Sequence, residues 1–152
     1  MPVRRRSTGS HEVLKTTGSD EVLDRLFVYA TLRQGQTARS LIANHISRSV
    51  KASTTGAIYA FPMGYAGFIE AAPPLRVEGE LIWLTELAAA FGLLDAYEGE
   101  EFARVIRQVT VESGERVWCW IYVLSDPEAI KHGRLIEHGD WGRYLQELTA
   151  DR

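Results

Sequence analysis

Residues 102–124 constrain the fold most, because they hold two consecutive runs, FARVIRQVTVE and RVWCWIYVL, joined across Ser113 and Gly114. Both runs are dense in β-branched and aromatic side chains and lack a helical period, so they predict an antiparallel hairpin. A chain built around such a hairpin must give its edges partners, and three other segments are suited to do so. LFVYATL at 26–32 reads as a buried strand running into the Gly-containing loop RQGQT. GAIYAF at 56–61 and RVEGELIWL at 76–84 read as further strands, the latter placing Val77, Gly79, Leu81 and Trp83 on one side. The Gly- and Pro-containing PMGYAGFIEAAPP between them reads as a connection.

Helical signals are fewer. In TELAAAFGLLDAYEG, Thr85 can cap, Glu86 suits the positive N-terminal end and Gly99 suits the stop, so this segment carries the clearest helix. TARSLIANHI, with Leu41, Ile42 and His45 at helical spacing, predicts a short helix, and PEAIKHG and WGRYLQEL predict short pieces near the end. No internal repeat interrupts this order. The expected architecture is therefore strand-rich α+β. Residues 1–24 are expected to form a flexible tail, since MPVRRRSTGSHEVLKTTGSD has no sustained apolar period to offset the entropy of ordering. Residues 25–152 are expected to form a single domain. At 152 residues and 45% hydrophobic composition, the chain can bury one substantial core.

Charge narrows the partners. With 17 basic and 20 acidic residues the net charge is −3, which favours neither nucleic acid nor an anionic membrane. The RRR at Arg4–Arg6 reads as a solvated end, and Trp83, Trp118, Trp120 and Trp141 read as core or pocket walls because no basic patch accompanies them. One cysteine, Cys119, cannot close an internal disulfide; between two tryptophans in a strand it reads as a buried thiol. The four histidines, His11, His45, His132 and His138, show no ligand spacing, so no metal and no cofactor is expected. No apolar stretch is long enough for a membrane span or a secretory core, and a cytoplasmic setting, as a monomer or homodimer, is expected.

One residue stands out chemically. Leu87, Phe91, Leu94 and Glu98 are separated by four, three and four residues, so the glutamate continues the stripe that faces the core. Turned inward, it loses solvation and meets the negative end of the helix, and both raise its pKa. Left in a frayed last turn, it is an ordinary exposed acid, and the pattern alone admits both placements.

Three motifs in order favour the first. LFVYATLRQG, LDAYEGEEFARVIRQVTV and HGDWGRYL together resemble the gamma-glutamylcyclotransferase-like superfamily, especially its small bacterial and avirulence-induced-gene type members, over roughly residues 26–145. The resemblance implies a small mixed β-barrel with a few packed short helices. It implies an enzyme that cyclises a γ-glutamyl amine or peptide to 5-oxoproline and releases the amine, with Glu98 as general acid/base. Tyr29, Ala30, Thr31 and Leu32 then correspond to the substrate loop, and Gly139-Asp140-Trp141 to a recurring C-terminal motif, where Asp140 reads as a turn or cap. Two residues depart from the family pattern. Ala30 replaces a glycine, adding a methyl where close approach or positive φ can be needed, and Phe102 replaces a tyrosine, removing a hydroxyl. Arg33 is a candidate carboxylate partner or a surface arginine, and Tyr59, Tyr65 and Tyr122 are candidate pocket walls or strand packing. The other reading of the same fold is a non-catalytic small-ligand-binding or interaction domain.

Overall fold

The computed structural model describes residues 23–71 and 73–150. The expected tail lies outside the described residues apart from its last two positions. Strand β1 spans Arg25–Val28, β2 Ile46–Phe61, β3 Tyr65–Ile69 and β4 Leu75–Leu84. Helix α1 covers Leu87–Glu98, β5 and β6 cover Phe102–Val111 and Arg116–Leu124, the short β7 covers Arg134–Leu135, and α2 covers Trp141–Ala150.

Five strands close a barrel in the order β2-β4-β1-β6-β5 and back to β2, the closure made by Ala52 opposite Val111 and Ser53 opposite Thr110. β1 and β6 run parallel, with Leu26 beside Trp120 and Phe27 beside Ile121. The other pairs are antiparallel, including the expected β5–β6 hairpin, which holds register from Phe102–Leu124 to Thr110–Arg116. β3 lies outside this ring on the C-terminal half of β2, and β7 pairs with the same strand. This is the α+β mixed barrel with short helices that the motifs imply.

β1 is apolar from Leu26 to Val28 because both of its faces are covered there. Phe27 enters the barrel core with Ile58, Phe68, Leu81 and Ile121, while Leu26 and Val28 face a second cluster with Ile82, Phe91 and Leu94. Gly79 of β4 makes that crossing possible: a methyl there would press on the Val28 carbonyl and the Phe27 ring. The stripe on α1 behaves as its spacing requires, with Phe91 and Leu94 buried and the helix ending at Gly99, φ 73°.

Four local expectations change. Thr85 does not cap α1; its hydroxyl bonds the His45 carbonyl at 3.3 Å, and Glu86, at φ 52°, takes the cap position without a side-chain bond. His45 Nδ1 lies 3.3 Å from the exposed Glu86 carboxylate. TARSLIANHI forms two 3-10 turns, Arg39–Leu41 and Ala43–His45, because the chain must turn sharply between β1 and β2. β2 begins ten residues before GAIYAF, and the presumed connection PMGYAGFIEAAPP contains β3. The first strand stops at Val28, so Tyr29–Leu32 is wholly loop.

Candidate active site

A cavity of about 350 Å³ opens where the loop after β1, the tip of the β2–β3 hairpin and the junction of α1 with β5 converge. Its size lies at the small end of ligand pockets. Tyr29, Ala30, Thr31, Leu32, Tyr65, Glu98, Phe102 and Tyr122 all line it, so the structure brings together loop and carboxylate that lie far apart in sequence.

The loop is pinned from behind. The Tyr29 hydroxyl donates to the Tyr122 carbonyl at 2.7 Å and accepts from the Phe68 N–H at 3.2 Å, tying the loop to β6 and β3. Burial first, and the nearby Glu98 second, hold its pKa well above the ordinary value, so it stays a neutral anchor. The Ala38 N–H bonds the Thr31 carbonyl at 2.9 Å, and Arg39 Nη1 bonds the Leu32 carbonyl at 3.2 Å. The N–H groups of Ala30, Thr31 and Leu32 bond no acceptor among the described residues, which leaves them available to oxygen atoms of a ligand. Ala30 has an ordinary negative φ and is buried in the core, so its methyl imposes no backbone strain. Thr31 Oγ1 shares a 2.9 Å hydrogen bond with the Tyr97 hydroxyl across the cavity rim.

Glu98 is the last residue of α1 and is partly buried. Desolvation, then the charges of Asp95 and Glu101, push its pKa up to about 7. Among the described residues it forms no ion pair. Its neighbour Asp95 is engaged on both oxygens: Arg104 grips it at 3.0 and 3.1 Å, and the Tyr122 hydroxyl donates to it at 2.6 Å. Arg104 in turn lies over Phe91 at 4.0 Å and Trp120 at 4.5 Å. Burial and this bond to Asp95 raise the Tyr122 pKa. Phe102 meets Tyr65 edge-on, with centroids 6.2 Å apart.

Arg33 does not line the cavity. Its guanidinium reaches Asp140 at 3.0 Å and approaches Glu80 at 4.0 Å. Glu80, the only buried charged residue among the described ones, accepts from Arg39 at 2.7 Å and from the Gln34 N–H at 3.1 Å, so β4 braces the loop. Asp140 also accepts from the Arg143 N–H at 3.2 Å, the cap role expected for it. Tyr59 packs on the strand instead, opposite Leu135. Burial pushes the Cys119 thiol up to about 12, consistent with an inert core position. Thr37, Met63, Tyr97 and Glu101 line the cavity and were not legible as site residues. Only the last two carried a signal, their closeness to Glu98. Among the described residues no helix is long and apolar enough to cross a membrane, and no group of His, Cys, Asp and Glu is placed to hold a metal ion.

A mixed barrel whose first strand delivers a pinned loop to a cavity shared with a helix-terminal glutamate has the gamma-glutamyl cyclotransferase-like fold. The sequence matches the family described as gamma-glutamyl cyclotransferase, AIG2-like, over residues 26–143, and the chain belongs to that family. Among solved structures, YkqA from Bacillus subtilis superposes with a TM-score of 0.66 at 22% identity, covering 86% of this chain and 44% of its own. The chain thus spans less than half of YkqA. An AIG2-like protein from Mus musculus superposes at 0.60 with 21% identity, covering 80% and 89% of the two chains. Allophanate hydrolase of Kluyveromyces lactis carries a similar fold, with a TM-score of 0.63 at 18% identity over 86% of this chain and 22% of that one. At these identities the likeness concerns the fold. No curated protein matches the sequence significantly.

Proposed function

We propose that the protein cyclises a γ-glutamyl amine or peptide to 5-oxoproline and a free amine, with Glu98 as general acid/base. A γ-glutamyl compound carries its own nucleophile: the α-amino nitrogen attacks the γ-carbonyl carbon, a five-membered ring closes, and the bond from that carbon to the amine nitrogen breaks. The α-ammonium cannot attack until it loses a proton. Glu98 accepts that proton and returns one to the departing amine nitrogen; the attacking nitrogen gives up a second proton as it becomes the lactam N–H, and Glu98 passes that one to the freed amine, which leaves as an ammonium, so charge and protons balance over the turnover. A carboxyl poised near neutrality suits both transfers. The observation that carries the reading is the shared cavity, one small volume lined by Glu98, with its pKa near 7, and by the loop residues after β1 whose N–H groups are unengaged among the described residues.

Each part has a role in this mechanism. The N–H groups of residues 30–32 and the Thr31 hydroxyl hold the anionic oxygens of the glutamyl half, which limits its freedom and favours the folded, near-attack geometry. Tyr29 acts from behind by fixing the loop. Tyr65, Phe102 and Tyr122 exclude water from the closing ring. The absence of an ion pair at Glu98 among the described residues supports catalysis over a binding-only domain, where a paired carboxylate is expected. Arg33 serves the loop's support, through Asp140, in this proposal.

The test is release of 5-oxoproline from a panel of γ-glutamyl amines and peptides, repeated with Glu98→Gln. We expect turnover by the wild type and a loss of about 10²–10⁴-fold or more in the variant, with ligand binding retained. A Glu98→Gln protein with unchanged turnover refutes the assignment.

A further inference from the structure

We infer that Tyr97 is a positioning residue for the α-carboxylate of the substrate: its hydroxyl, bonded to Thr31 Oγ1 across the cavity rim, orients and strengthens the Thr31 hydroxyl as a donor to that carboxylate. This inference rests on the cyclisation reading above. It concerns how the anion is held, and leaves the proton transfers of Glu98 as they are.

Among the described residues, the cavity wall carries two carboxylates, Glu98 and Glu101, and no lysine, arginine or histidine. A carboxylate that enters must therefore be held by neutral donors, and their bonds have to offset the hydration it loses. Two phenols of the wall are already spent. The Tyr29 hydroxyl donates to the Tyr122 carbonyl at 2.7 Å, and the Tyr122 hydroxyl donates to Asp95 at 2.6 Å. Thr31 offers two donors from one residue: an N–H that bonds no acceptor among the described residues, and a hydroxyl. Two is the number that the paired oxygens of a carboxylate can engage side by side.

Tyr97 is placed to sharpen that hydroxyl. It precedes Glu98 on α1, off the stripe that buries Phe91 and Leu94, and it stays 45% exposed, so packing into the core does not account for its position. Its 2.9 Å bond to Thr31 is the one hydrogen bond among the described residues that joins Tyr29–Leu32 to the helix carrying Glu98. A phenol is a stronger donor than an alkyl alcohol, so Tyr97 gives its proton to Thr31 Oγ1 and the Thr31 proton is left for the ligand. A hydroxyl that accepts one hydrogen bond donates a better one, because each bond in the chain polarises the next. The same bond fixes the rotor. Without it the Thr31 hydroxyl is free to turn to neighbouring backbone or to water, and ordering it again counts against binding.

The experiment uses two substrates that close the same five-membered ring. γ-Glutamyl n-pentylamide gives 5-oxoproline; 4-aminobutyryl n-pentylamide lacks the α-carboxylate and gives 2-pyrrolidinone. Both release n-pentylamine, which is the common readout. Tyr97→Phe keeps the ring and is expected to raise KM for the γ-glutamyl compound about three- to tenfold, with kcat changed by about twofold at most and KM for the 4-aminobutyryl compound unmoved. Thr31→Val should cost at least as much, and adding Tyr97→Phe to it should cost nothing further; in Thr31→Ser, which keeps a hydroxyl, the Tyr97→Phe penalty should persist. A merely structural contribution to the rim would act alike on both substrates and in every background. An unchanged KM in Tyr97→Phe, or a penalty of the same size in the Thr31→Val background, overturns the inference while leaving cyclisation in place. If the 4-aminobutyryl compound is not turned over, the cycle of variants on the γ-glutamyl compound decides alone. If the wild type cyclises no γ-glutamyl compound, the functional reading fails instead. Calorimetric affinities of γ-glutamyl n-pentylamide for the same variants then decide: a loss in Tyr97→Phe that vanishes in the Thr31→Val background upholds the carboxylate role, and an additive or absent loss overturns it.

Discussion

Replacing Glu98 by glutamine should make the protein more stable as well as inactive, and by an amount that depends on pH. The carboxyl ordinarily titrates at 4.5 and is pushed up to about 7 in the fold. Its raised value means that the folded protein binds the proton more tightly than the unfolded chain does. The group therefore supports the fold fully below pH 4.5, and that support is lost as pH rises through about 7. The gap is about two and a half pH units at about 1.4 kcal/mol each, or about 3.5 kcal/mol at the limit. Because Glu98 keeps some contact with solvent, screening reduces this to about 1–2 kcal/mol. Glutamine keeps the size and the neutral hydrogen-bonding character of the protonated acid, so it escapes the penalty. Urea denaturation of both proteins at pH 5 and pH 8 measures it: the midpoints should nearly coincide at pH 5, and the variant should be more stable by about 1–2 kcal/mol at pH 8. A variant that is equally or less stable at pH 8 would mean that the folded protein accommodates the ionised carboxylate without cost. The account of Glu98 as a destabilised base would then be refuted.

Turnover should follow the same titration, with kcat/KM falling about tenfold per pH unit below about pH 7; a flat profile from pH 5 to 8 would contradict a base with this pKa. Glu80→Ala strands Arg39 and the Gln34 N–H beneath the substrate loop, so it should cost about 3–5 kcal/mol in a denaturant melt and raise KM in the folded fraction. Gly79→Ala drives a methyl against the Val28 carbonyl and the Phe27 ring, and a loss of about 1–3 kcal/mol is expected; an unchanged melting temperature would show that β1 has room to move.

The parts of the fold that could be read from sequence are those whose side chains report their own environment. The β5–β6 hairpin, β4 and the α1 stripe alternate or repeat in step with their secondary structure, and each was found where its pattern placed it. The first ten residues of β2, ISRSVKASTT, escaped because half of them are exposed and only Ala52 is buried. It is a strand through backbone bonds to β4, from Ile46–Leu84 onward, and such pairing leaves no apolar alternation to see. β3 is five residues of small and aromatic types behind a proline and glycine turn, so the turn signal concealed it. At the site, Glu98 could be singled out because one helix period and one motif coincide on it. Met63 and Thr37 could not, since they reach the cavity only through the folding over of the hairpin and the loop.

The parallel contact between the first and last barrel strands bears on how the molecule is made. The Tyr29 hydroxyl and the Tyr122 carbonyl that receives it are 93 residues apart, and β1 has no neighbour close in sequence, being flanked by β4 and β6. Long-range closure costs chain entropy before any contact rewards it, so local hairpins such as β5–β6 are expected to form early and the insertion of β1 late. On the ribosome, β1 emerges first yet must wait until β6 has followed before it can dock. Its apolar run, LFVYATL, is exposed throughout that interval and is the segment of the nascent chain most in need of protection from aggregation.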